Sequence, residues 1–391
     1  MIILGRILIV VILKLHDYMK IGIDIRVLMS KKRTGVGEYT FELLDNLFKI
    51  DKENQYYLFI NSFKDVSDEV MVWRQDNVHY VIKHWPNKLF NLCQLILKWP
   101  KLDKITTHGL DYWFSPNLNF TVLSKRVKFI LTVHDLSFEF FPDCFSWKRR
   151  LWHKILNPSN QCKRANLILA PSENTKRDVV SYYGIREDKV RAVYPGKSSE
   201  FRTKDSETIE NLKNKYNLPN KFILYLGTLE PRKNIISLID AYKKSQLSLD
   251  QCSLIIAGAR GWKDTEILRE IENTDGVHYI GYVDAEDKPT LYRAADLFVY
   301  PSLYEGFGFP VLEAMISGTP VITSNRSSLP EIGGNAVYLI NPYNTRELAS
   351  AMKSLLSKYN LRHMLVEKAE GRVEQFNWEK TAKFFLEKIM L

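Results

Sequence analysis

Cysteine is scarce in this 391-residue chain, and its four copies, Cys93, Cys144, Cys162 and Cys252, lie far apart with no C-x-x-C pair among them. That spacing excludes a zinc ribbon and a disulfide framework, and it reads as reduced packing thiols in a cytoplasmic protein. No run reaches the roughly 20 apolar residues that a membrane-spanning helix needs, and there is no low-complexity tract. A D-x-D pair is missing, as is any His or Cys cluster at ligand spacing, so neither a metal nor a cofactor is expected. The turn after the first strand reads TGVGEYT rather than G-x-G-x-x-G with an acid about 20 residues on, which argues against a dinucleotide dehydrogenase.

The length suggests two or three domains. The net charge of +10 is uneven: residues 1–200 hold 31 Lys+Arg against 21 Asp+Glu, and the rest of the chain is balanced. The first half is therefore expected either to meet an anionic partner (a membrane surface, a lipid diphosphate or a nucleic acid) or to carry a solvated basic surface. Ile2 to Leu15 is mostly apolar but interrupted by Arg6 and Lys14, and Met19 followed by KIGIDIRVLM reads as a natural start, which leaves residues 1–18 as an extension. The extension is left as an upstream-start segment, an interfacial anchor or an extra strand. The expected division is 19–196, 197–375 and a closing helix at 376–391.

From Lys20 to Gly196 apolar strands alternate with helical segments, the pattern of a parallel sheet with covering helices. The strand candidates are 20–28, 55–61, 78–83, 111–115, 127–133, 166–171 and 190–194. Between the first of these and its helix lies the basic turn KKRTGVGEYT, where Gly35 and Gly37 would let backbone amides approach a phosphate or sugar. In LFNLCQLILKW, the helical spacing of Leu89, Leu92, Ile96 and Trp99 predicts a core face in preference to a docking helix. The strand in LTVHDLSFEFFPD ends at His134-Asp135, at the carboxyl edge where open α/β sheets bind ligands, with Asp135 orienting the turn. CFSWKRRLWHKIL sets Trp147, Leu151, Trp152, Ile155 and Leu156 opposite Arg149, Arg150, His153 and Lys154, which suits a lipid interface or an inward-packed helix equally. Ser172 is placed to cap the next helix.

The second half restarts with FILYLGTL, then Glu230-Pro231-Arg232-Lys233-Asn234 and a helix. A strand, a glycine and two cations at a helix start make a compact anion site. Strands follow at 254–258, 277–283, 296–300 and 321–323, and helices at 345–357 and 361–375. The densest chemistry lies in PSLYEGFGFPVLEAMISGTPVI, from Pro301. Here a strand ends, glycines turn the chain, and a helix opens with Pro310 in its first turn. The amides of Gly306, Phe307, Gly308 and Phe309 would point at an anion or a sugar hydroxyl. Glu305 precedes the helix and Glu313 lies about one turn inside it, so both can face one ligand.

The E-x7-E pattern from Glu305 to Glu313, with TVHDLSFEFFP and GTLEPRKN, resembles the retaining glycosyltransferases of family 4. The resemblance implies the B-type fold, two Rossmann-like α/β domains facing across a cleft, with the closing FNWEKTAKFFLEKIM helix crossing back to the first. It implies that Arg232 and Lys233 meet the donor diphosphate, that Val283 and Asp284 lie beside the base, and that Glu313 holds ribose hydroxyls. Glu305 would orient the transferred sugar, and His134 would approach it from the other domain. Many members carry Arg after the glycine where this chain has Thr228, which shifts weight to Lys233. Within the family the strings look most like bacterial mannosyltransferases of surface polysaccharide, lipopolysaccharide O-antigen included. GDP-mannose is therefore the expected donor, with a saccharide or lipid-linked saccharide as acceptor, no nucleic acid partner, and a cytoplasmic protein touching the membrane peripherally. Glucosyl, galactosyl and rhamnosyl donors, a B-type epimerase or phosphorylase, and a non-catalytic binding subunit are the alternatives.

Overall fold

The computed structural model describes residues 18–389 apart from 30–33, 64–65, 67–69, 106–108, 198–200, 202–205 and 249–251. Residues 1–17 of the expected extension, and Lys31, Lys32 and Arg33 of the basic turn, lie outside the described residues. Two parallel sheets form the frame. The first takes β1 (Lys20–Asp24), β2 (Gln55–Asn61), β3 (Val78–Lys83), β4 (Tyr112–Ser115), β5 (Lys128–Thr132), β6 (Leu167–Ala170) and β7 (Val190–Ala192) in the order β3-β2-β1-β4-β5-β6-β7. The second takes β8 (Phe222–Leu226), β9 (Ser253–Ala257), β10 (Val277–Tyr279), β11 (Leu297–Tyr300), β12 (Val321–Ser324) and β13 (Tyr338–Ile340) in the order β10-β9-β8-β11-β12-β13. In each sheet the winding reverses beside the first strand, at β1/β4 and at β8/β11, which opens the carboxyl ends of those strands to a ligand.

By compactness the chain forms two units. One runs to Thr132 and includes Ser159–Ile168 and the stretch from Ala382; the other is Val133–Pro158 with Leu169–Thr381. The helix Trp378–Ile389 therefore begins in the second unit and ends in the first, where Phe385 meets Phe114 with ring centroids 4.8 Å apart.

Local chemistry explains where the elements start and stop. The first strand ends at Asp24, short of the expected 28, because the Asp24 carboxylate accepts from the backbone N (3.2 Å) and Nε (2.8 Å) of Arg26 and turns the chain into a 3-10 helix, Arg26–Met29. The strand expected over 277–283 stops at Tyr279, ahead of Gly281 with its φ of +78°. Helix α1 (Gly35–Ile50) begins at Thr34, whose Oγ1 accepts from Gly37 N, and buries Tyr39, Leu43, Leu44, Leu47 and Phe48. Gly35 and Gly37 thus sit inside the first turn of a helix rather than in a free loop.

Helix α2 (Asn87–Ile96) overturns the expected core face. Leu89, Leu92, Ile96 and Trp99 are 49%, 50%, 64% and 53% exposed. The buried side is Phe90 and Gln94, whose amide accepts from Val122 N (2.9 Å) and donates to Pro100 O. Periodicity finds a stripe but not the side it faces, and here a twice-bonded amide is inward. Helices α3 (Trp147–Leu156) and α4 (Glu173–Tyr183) are capped by Ser146 and Ser172, and α5 (Phe309–Ile316) follows the glycine loop. Cys162 and Cys252 are buried packing residues, whereas Cys93 and Cys144 are half-buried.

Gly22 on β1 is a point of close approach: a Cβ there would lie 2.4 Å from Leu110 and 2.6 Å from Trp113. Gly22→Ala is expected to destabilise the protein by about 1–3 kcal/mol through overpacking. Urea unfolding should show a lower midpoint at unchanged slope, and an unmoved midpoint would mean that Leu110 and Trp113 yield freely.

Candidate active site

All four residues of β11 are buried, and the strand delivers the chain at Tyr300 to the loop 301–308. Two serines fix the loop's backbone. Glu305 N donates to Ser327 Oγ (2.8 Å), and Ser328 Oγ donates to the carbonyls of Glu305 (3.0 Å) and Phe307 (2.7 Å). Gly308, at φ +111°, caps α5 and Pro310 fills its first turn. Phe307 is buried with its ring 5.0 Å from Phe309 and 5.6 Å from Phe376, so the loop is anchored by apolar contacts on its inner side.

Into this loop the sheet brings a cluster of four buried charges. Glu305 Oε1 accepts from Lys233 Nζ (2.6 Å), Ser302 Oγ (2.6 Å) and Tyr300 OH (3.0 Å), while Oε2 lies 3.2 Å from Arg232 Nη1. Arg232 also donates from Nη2 to Glu230 (2.5 Å) and from Nη1 to the Tyr304 carbonyl. The two cations come from a 3-10 turn, Pro231–Lys233, that closes on Asn234 in the left-handed region (φ 60°). The Asn234 amide locks the turn by donating to the carbonyls of Pro301 (3.2 Å) and Pro342 (2.7 Å). Burial would raise the Glu305 pKa, but Lys233 and Arg232, with the bonds from Lys233 and Ser302, pull it down to about 2. Burial alone would lower Arg232, yet Glu305 and Glu230 hold it well above its ordinary value. The pairing is thus mutual.

The same compact unit brings His134 to the loop. A Cβ on Gly306 would lie 1.8 Å from the His134 carbonyl oxygen, so a glycine is required for the two backbones to approach. The Gly306 carbonyl accepts from Ser172 Oγ (2.7 Å) and Thr175 Oγ1 (3.2 Å) at the start of α4. Asp135 accepts at Oδ1 from Ser137 N (2.9 Å) and Oγ (2.6 Å), and so orients the turn. Tyr304 reaches α4 through its hydroxyl, 2.5 Å from Asp178, whose burial raises its pKa.

The remaining expected residues are placed separately. Glu313, half-buried on α5, accepts from Tyr292 OH (2.8 Å). Val283 is buried, which leaves its backbone as the part a base could meet, and Asp284 is exposed, 3.8 Å from Lys215 Nζ. Gly35 and Gly37 lie in the other unit. Among the described residues no group of three or more His, Cys, Asp or Glu is arranged to hold a metal ion. Sequence reasoning passed over Glu230, Tyr300 and Ser302, although all three flank the motifs it used. Ser302 was legible as the serine of PSLYEG three residues before Glu305.

Helix α3 presents its apolar side outward: Trp147, Leu151, Trp152 and Ile155 are exposed, and Leu156 is buried. His153 is half-buried and stacked on Phe138 at 4.2 Å, and the exposed Arg149 lays its guanidinium 4.0 Å from the Trp262 ring centroid. Burial lowers the His153 pKa to about 4, so the imidazole is neutral near pH 7.

Residues 33–200 match the model described as Glycosyltransferase Family 4, and residues 208–372 match Glycosyl transferases group 1. The O-antigen chain mannosyltransferase B of Escherichia coli is 33% identical over 267 residues, covering 67% of this chain and 70% of that one. The O-antigen chain mannosyltransferase RfbU of Salmonella typhimurium is 30% identical over 344 residues, 84% of this chain and 88% of its own. A further Escherichia coli relative, the serotype-specific mannosyltransferase WbdA, is 33% identical over 240 residues, which span 29% of its length. Among solved structures, Anabaena Alr3699/HepE in complex with UDP and glucose aligns over 95% of this chain and 100% of its own, with a TM-score of 0.73 at 21% identity, a likeness of fold.

The depressed Glu305 pKa fixes a pH window. The folded chain favours the carboxylate, so its stabilisation is complete above the ordinary value of 4.5 and is lost as the pH falls towards about 2. Glu305→Gln leaves two buried cations without their partner and is expected to cost about 3 kcal/mol or more at neutral pH. In urea unfolding the gap between the two proteins should narrow as the pH is lowered below 4.5; a constant gap would show that the pairing does not stabilise the fold.

Proposed function

The chain belongs to the group 1, family 4 glycosyltransferases, and on that premise we propose that it moves mannose from GDP-mannose to a saccharide on a lipid carrier during surface polysaccharide synthesis. The observation that carries the reading is the Lys233–Glu305 pair at the start of the glycine loop. It sets a point charge and a carboxylate side by side at the carboxyl ends of β8 and β11. The mannosyl donor and the polysaccharide acceptor are supported by the names of the two O-antigen relatives.

In this reading Lys233 and the amides from Gly306 to Phe309 meet the diphosphate, where preorganised donors are most effective as negative charge develops. Arg232, engaged by Glu230, Glu305 and the Tyr304 carbonyl, positions Glu305 and contributes its field. Glu305 orients the sugar hydroxyls, Glu313 takes the ribose, and Val283 and Asp284 border the base. His134 donates to the transferred sugar or accepts from the acceptor hydroxyl. The backbone amides of Gly35 and Gly37 are proposed as further contacts for a phosphate or sugar of the donor. The anomeric C1–O bond to the diphosphate breaks as the acceptor oxygen adds on the same face, its proton passing to the departing phosphate oxygen. Configuration is retained, and no metal takes part. Contact with an anionic membrane surface belongs to the same proposal, supported by the outward Trp147 and Trp152 of α3 with Arg150 and Lys154 beside them.

A panel of GDP-mannose, UDP-glucose, UDP-galactose and dTDP-rhamnose, read by released nucleotide, tests the donor. GDP release is expected, and faster turnover of another donor would reassign it. Lys233→Ala should lower turnover about 10²- to 10³-fold. Unimpaired turnover by a folded variant would remove Lys233 from the diphosphate site.

A further inference from the structure

Helix α2 has an inverted profile. Leu89, Leu92 and Ile96 recur at one face of the helix and are exposed, Leu97 and Trp99 continue that face at 65% and 53% exposure, and the polar Gln94 is turned inward. A helix that hides an amide and shows leucines is shaped for an apolar environment on its outer side, and no described residue supplies one. The charges around it are of one sign. Lys88, Lys98, Lys101 and Lys104 are all exposed. Between residues 77 and 110 the single acid is Asp103, which is buried and bonded to Ser124 through N (2.7 Å) and Oγ (2.5 Å). Trp99 stands beside Trp85 with ring centroids 5.4 Å apart, an indole pair at the rim of the apolar strip.

We propose that α2 and the segment to Lys104 form an element that inserts its leucine and isoleucine side chains into an anionic lipid surface. Apolar side chains would enter the acyl boundary, lysines would meet the headgroup phosphates, and indoles would lie between them. A second copy of this chain is the poorer occupant, because pairing the face with itself would set lysines against lysines. The inference rests on the membrane contact of the proposed function and deepens it by naming α2 as an element that makes it. It does not depend on the donor, so it would survive a change of donor.

Flotation of the full chain with vesicles of phosphatidylethanolamine and phosphatidylglycerol, against vesicles of phosphatidylcholine alone, tests it. Binding is expected to the first and not to the second. Leu92→Glu with Ile96→Glu should reduce binding about tenfold or more, and Lys98→Glu with Lys101→Glu about fivefold for each lysine. All four side chains are exposed, so thermal midpoint and nucleotide release should stay unchanged, which separates a failure here from a failure of the donor site. Vesicle binding undiminished in the Leu92/Ile96 variant would overturn the proposal and hand the contact to another element, such as α3 or residues 1–17. Absence of binding by the unsubstituted chain would overturn it too, as would a dimer that the same substitutions split.

Discussion

Four charges out of water, Glu230, Arg232, Lys233 and Glu305, hold the glycine loop in place. Removing ions from water costs several kcal/mol each unless their geometry and hydrogen bonds offset it. Here each carboxylate has a cation, Glu305 has two, and Tyr300 and Ser302 add hydrogen bonds to its Oε1, while the buried Arg232 Nε has no hydrogen-bond partner among the described residues. The arrangement links two stretches remote in sequence, the turn after β8 and the chain that runs from the end of β11 through the loop before α5. Displacing either would strand a charge in the interior. The ion pairs thus add to the bonds from Ser327 and Ser328 and to the packing of Phe307 in holding a loop that contains two glycines.

A second constraint fixes the segment carrying His134 against that loop. Backbone meets backbone at Gly306, and the carbonyl so exposed is taken up by hydroxyls at the start of α4. Main-chain contact therefore fixes where the backbone of His134 stands beside the loop. Glu331 adds to the same junction, its carboxylate accepting from the amides of Glu173 (2.6 Å) and Asn174 (3.0 Å) at the amino end of α4, where a negative charge is favoured.

Most of the frame was legible because buried parallel strands announce themselves as short apolar runs. Twelve of the thirteen strands were anticipated within a few residues. The exception, Tyr338–Ile340, is three residues long and sits in a polar neighbourhood at the edge of its sheet. Strand ends were harder, since Asp24 and Gly281 stop their strands by side-chain and φ effects that an apolar run does not reveal. Of the site, the glycine loop and the cations were readable as motifs, but Glu230 was not, because a carboxylate beside a cation in sequence looks like solvated surface. The orientation of α2 was misjudged for a similar reason: spacing gives a stripe, and only tertiary bonds such as those of Gln94 decide which way it turns.

The signs of the buried cluster carry one more consequence. Two carboxylates and two cations sum to zero, so an incoming diphosphate meets no excess of positive charge at this centre. In the proposed reading, what this centre offers the nucleotide is short-range contact with amides and a lysine hydrogen rather than a long-range field. Any dependence of association on ionic strength would then arise from the chain's overall charge of +10 rather than from this centre.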